Sequence, residues 1–83
     1  MNDEIILQEL ENICCKLGLN LRYEVGDFVG GLCRINDEQL IIINKKLPTN
    51  KKIKLIAKEI STLDIEDIFI LPAVKEIIFE NKD

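Results

Sequence analysis

The chain contains no histidine and no tryptophan, and its aromatic side chains are only Tyr23, Phe28, Phe69 and Phe79. Without histidine, a serine hydrolase triad has no base, and a zinc site would have to be built from thiols and carboxylates. So few rings also leave little platform for stacking nucleic-acid bases. Cys14, Cys15 and Cys33 make an odd thiol count without a C-x-x-C pair, and the neighbouring pair on a helix points in divergent directions. They are predicted to be reduced residues in or near the core, with no disulfide framework and no metal. No stretch reaches the ~18 to 20 unbroken apolar residues of a membrane span, and MNDEIILQEL places acids where a signal peptide is basic. No membrane association and a cytoplasmic location are expected. Gly26, Gly30 and Gly31 match neither the GxxxxGK[ST] nor the GxGxxG spacing, so their loop reads as a turn rather than a phosphate cradle.

What is present suits one small globular domain over residues 1–83. The 47% hydrophobic and 31% charged content lies well away from that of disordered chains. A chain this short has room for one core and gains from a partner or self-association. Its charge is segregated. Residues 1–44 carry three basic and eight acidic side chains, residues 45–58 carry six lysines and no acid, and residues 59–83 carry two basic and seven acidic side chains. The lysines form one positive block between two acidic flanks.

Asn2 or Asp3 can cap a first helix running to about Leu17, with Gly18 as its stop and Ile6, Leu10, Ile13 and Leu17 as its apolar stripe. Residues 19–25 alternate apolar and polar positions, the period of a half-buried strand. Residues 32–35 and 38–44 then flank Asn36 and Asp37, two residues that tolerate the positive φ of a tight hairpin turn. That turn sets Cys33 against Leu40 and Leu32 against Ile41. Because Leu40, Ile41, Ile42 and Ile43 leave no polar face, both sides of the sheet are expected to be covered there, by helices or by a second copy. Thr49 or Asn50 can cap a helix reaching about Leu63, with Ile53, Ile56, Ala57, Ile60 and Leu63 buried. Residues 64–71 suit either a helical turn or a brief extended piece, and Pro72 suits the first turn of a last helix. The expected fold is α+β: an N-terminal helix, a three-stranded and mainly antiparallel sheet, and two or three C-terminal helices.

The strand from Ile41 to Asn44, then Leu47, then the helical string Ala57, Lys58, Glu59, Ile60, Ser61 and Thr62 together resemble the core of the ImmA/IrrE-type zinc-metallopeptidase domain. In that family a hairpin ending in an I-x-[IL]-N-like strand precedes a leucine-containing loop and an A-H-E-x-x-H helix. The resemblance covers the middle third of the chain. It implies two histidines one helical turn apart as zinc ligands, with the intervening glutamate as base on a metal-bound water. Here Lys58 and Thr62 stand at the histidine positions and Glu59 remains. An ammonium group repels Zn²⁺ and a lone hydroxyl is a poor ligand. The resemblance therefore implies a pseudoenzyme, a zincin-like scaffold kept for interaction.

The function expected from these residues is a non-catalytic cytoplasmic interaction or regulatory module, homo-oligomeric or bound to another protein, with no cofactor. Its expected interaction surface comprises Leu40, Ile41, Ile42, Ile43, Ile68, Phe69 and Leu71. The alternative is anion or nucleic-acid binding through Lys45, Lys46, Lys51, Lys52, Lys54 and Lys58. Against nucleic acid stand a sequence pI near 4.8 and the position of both arginines, Arg22 and Arg34, outside the lysine block. An enzyme, either a metal hydrolase of unusual ligation or a thiol enzyme at Cys33, lacks its usual ligand or base.

Overall fold

The computed structural model describes residues 2–82, and within them six elements follow in order: α1 (Asp3–Lys16), β1 (Asn20–Glu24), β2 (Gly30–Ile35), β3 (Glu38–Asn44), α2 (Thr49–Ser61) and α3 (Pro72–Glu80). This is an α+β fold with one N-terminal and two C-terminal helices.

Local signals account for most boundaries. Asn2 caps α1 by accepting the Ile5 N–H at 2.9 Å, and Asp3 and Glu4 lie in the positively polarised first turn. At the other end Gly18 takes φ +75°, so that the Leu19 N–H reaches the Cys14 carbonyl at 2.9 Å and the Gly18 N–H reaches that of Cys15 at 3.1 Å. This Schellman closure turns Leu19 into the core. Asn36 and Asp37 adopt φ +50° and +69°, the geometry of a two-residue type I′ turn, and β2 pairs with β3 in the expected register, Cys33 to Leu40 and Leu32 to Ile41. The helix after Pro48 begins one residue earlier than a Thr49 cap requires and two earlier than an Asn50 cap requires. Pro48 itself is the cap residue; having no side-chain oxygen, it offers only its carbonyl, which accepts from Lys51 and Lys52 at 3.0 and 3.1 Å. That helix stops at Ser61, short of Leu63, where Thr62 Oγ1 donates to the Glu59 carbonyl at 2.8 Å. Residues 64–71 are irregular, pinned by an Asp64 carboxylate that accepts the Glu66 N–H at 3.1 Å. Pro72 opens α3.

The strand order is β1-β3-β2, with β1 parallel and β2 antiparallel to β3. One of the two ladders is thus antiparallel and the sheet is mixed, because β2 serves as the return that lets β1 and β3 run the same way.

Period-two alternation then divides the sheet into two unlike faces. Leu21, Tyr23, Leu32, Ile41 and Ile43 point to the side packed by the helices, with α2 at the centre against α1, α3, β2 and β3. On the other side stand Asn20, Arg22, Glu24, Gly31, Cys33, Ile35, Glu38, Leu40 and Ile42. Helices therefore cover one side only. Leu40, although outside the helical core, is 3% exposed, with Asn20 on one strand and Cys33 on the other directly beside it. Ile42 is half-buried.

Candidate functional site

The lysine block separates into three places. Lys51, Lys54 and Lys58, spaced three and four residues apart, share one stripe of α2 and rim a groove of about 520 Å³. Val29, Leu47, Pro48 and Leu55 give the groove its apolar walls, and Asn81 borders it. Lys52 turns the other way, placing its ammonium 5.4 Å from the centroid of the Tyr23 ring, a cation–π distance. Lys45 and Lys46 lie in the turn between β3 and α2. The six lysines thus form no single patch.

The three positions singled out by the sequence resemblance are likewise divided. Lys58 lines the groove, half-buried Glu59 does not, and the Thr62 hydroxyl caps α2. Among the described residues no three cysteine, aspartate or glutamate side chains converge as a metal-binding group. Cys14 is buried, Cys15 exposed and Cys33 half-buried, all three as free thiols. Also among the described residues, no helix is long and apolar enough to cross a membrane.

The expected interaction surface needs correction. Leu40, Ile41 and Ile43 are buried within the domain itself, so of that run only Ile42 retains accessible surface. The sheet centre consumes the apolar run internally. In the later segment Ile68 is half-buried and Ile70 buried, whereas Phe69 is 74% exposed and Leu71 is also exposed. More apolar surface emerges where periodicity gave no warning, at Val29 and Ile35, 60% and 45% exposed at the two ends of β2. A shallow depression of about 340 Å³ runs along this strand, touched by Phe28, Val29, Gly31, Cys33 and Ile42.

Two polar arrangements also escape a reading of periodicity. Asn44 donates from Nδ2 to the carbonyls of Gly26 and Phe28 at 2.9 and 2.6 Å, while its Oδ1 accepts the Lys46 N–H at 3.0 Å. This amide clamps the loop before β2 to the end of β3. Tyr23, on the helical side of β1, donates from its hydroxyl to Glu11 on α1 at 2.5 Å. Burial first, and then this hydrogen bond to a carboxylate, hold the phenol above its ordinary range. Burial, with the nearby Glu11 charge, pushes the Cys14 thiol up to about 12.

Both acids keep their protons longer in the fold than in the unfolded chain. Stability should therefore be intact below pH ~9 and fall as pH rises through the interval from about 9 to about 12, where unfolded thiol and phenol ionise first. Urea midpoints measured across that range check this. Tyr23→Phe should flatten the decline above the ordinary phenol value of 10.0, and a slope identical to the parent's would contradict the assignment.

No family model matches this chain, and no curated protein or solved structure shows significant similarity to it.

Proposed function

We propose that this domain is a non-catalytic interaction module of the cytoplasm, pairing with a second copy of itself through the free edge of β2. One observation carries the reading: β2 is an edge strand with exposed apolar residues at both ends, and Arg34 is the one charged residue along it. Unpaired edge N–H and C=O groups are a template for another strand, and natural sheets commonly blunt such edges with charge. The opposite edge, β1, is blunted in that way by Arg22 and Glu24, which form an ion pair at 3.8 Å.

The pairing is self-complementary. The two-residue turn makes Ile35 and Glu38 a hydrogen-bonded pair, so Gly30, Leu32 and Arg34 direct their backbone groups away from β3. An antiparallel copy related by a two-fold axis at Leu32 sets Val29 opposite Ile35 of the second copy, twice over. Arg34 then faces glycine instead of another arginine. The three free thiols suit a reducing compartment. Lys58 and Thr62 in place of metal-binding histidines support a pseudoenzyme reading of the scaffold.

Light scattering at tens of micromolar should give twice the 9.5 kDa chain mass, and Val29→Glu with Ile35→Glu should return it to the monomer with unchanged circular dichroism. A monomeric parent would overturn the pairing. Stoichiometric zinc in the purified protein would overturn the non-catalytic assignment.

A further inference from the structure

The groove on α2 joins two properties that rarely serve one bland purpose: apolar walls and a cationic rim. We propose that it binds a short acidic peptide segment bearing a large apolar side chain, presented by a partner protein. The proposal rests on the reading of the domain as an interaction module and uses the α2 face, which meets the β2 edge at Val29.

Charge complementarity selects the partner. Residues 45–58 concentrate six lysines and no acid in a chain whose net charge is −4. Lys51 and Lys54 stand three residues apart, about 4.5 Å along the helix at ~1.5 Å rise per residue, a spacing that two carboxylates of a peptide can match. α2 has no acid in its first turn, and Lys51 sits there, where the helix dipole disfavours a cation. Both the dipole and the side chains therefore attract an anion. The apolar walls narrow the choice further. Val29, Leu47, Pro48 and Leu55 offer a seat for a leucine or phenylalanine but no ring on which a base can stack, and lysine lacks the planar fork by which arginine grips phosphate. An amphipathic acidic peptide satisfies walls and rim together, as in other grooves that read apolar anchors.

The test is fluorescence anisotropy with a fluorescein-labelled peptide that interleaves glutamate with leucine and phenylalanine. Its controls are the same peptide with glutamine for glutamate, polyglutamate, and a single-stranded DNA oligonucleotide. The acidic, apolar peptide should bind at least about tenfold more tightly than each control. Its affinity should weaken with salt, and Lys51→Glu with Lys54→Glu, both on the exposed side of α2, should reduce it by at least the same factor. Equal binding of polyglutamate or DNA would reduce the groove to a general anion surface and overturn the proposal. So would equal binding of the glutamine peptide, indifference to the charge reversals, or no binding at all. Light scattering on the same samples keeps the two readings apart: a dimer that binds no peptide sinks the groove alone, and a monomer that binds it sinks the β2 pairing alone.

Discussion

Ile56→Ala is expected to destabilise the domain by about 3 to 4 kcal/mol, in the range for removing a fully buried branched side chain and leaving a cavity. Ile56 is 0% exposed and sits near the middle of α2, the helix that touches α1, α3, β2 and β3. No other element is placed to collapse into the space without loosening its own contacts. At ~0.05 to 0.15 kcal/mol per residue, 83 residues give a total stability of roughly 4 to 12 kcal/mol, so this one change removes a large share of it. Urea unfolding at fixed protomer concentration should show a midpoint lowered by about 2 M with little change in slope. Ile56→Val should cost only about 1 kcal/mol. A loss below that value for alanine would mean that α2 is not the keystone of the core.

How far such positions can be read from sequence depends on the range of the interactions that create them. Ile53, Ile56, Ala57 and Ile60 declare themselves by helical spacing, and all are buried. Asn2, Gly18, Asn36 and Asp37 act within a few residues of themselves, and each does what its chemistry suggests. Strand order is another matter. That β3 lies between β1 and β2 depends on where the chain returns, and alternation in residues 19–25 is the same whether the neighbour runs parallel or antiparallel. The same limit hid the groove. Lys51, Lys54 and Lys58 are a visible stripe, but Val29 joins them from a loop more than 20 residues away, brought there by the hairpin. An apolar run without a polar face reads as surface seeking a cover, yet Leu40, on the sheet face away from the helices, is only 3% exposed. Residues 64–71 carry isoleucines and acids that fit several backbones, and the segment is irregular, with the Asp64 carboxylate accepting the Glu66 N–H.

Gly30→Ala is expected to be the most damaging conservative change outside the core, costing about 2 to 6 kcal/mol as strain of ~1 to 3 and overpacking of ~1 to 3 kcal/mol combine. Gly30 takes φ +135°, which side-chain-bearing residues rarely adopt, and an added Cβ would come within 2.2 Å of the Ile42 carbonyl oxygen and 2.9 Å of Leu55 Cδ2. The leucine can turn aside. The carbonyl cannot, because it belongs to the central strand and any retreat disturbs its ladders. Gly31→Ala separates the two costs: its φ is also positive, +157°, but nothing stands within 4 Å of its new Cβ. It should lose only about 1 to 2 kcal/mol. Comparable urea midpoints for the two variants would show that the contact with Ile42 does not govern this site. The consequence for function follows from position, since Gly30 begins the edge strand proposed to pair, follows Val29 in the groove wall, and abuts Leu55 on the groove floor. A Gly30→Ala protein rescued from unfolding by low temperature should therefore weaken both peptide binding and dimer formation, whereas Gly31→Ala should spare the groove.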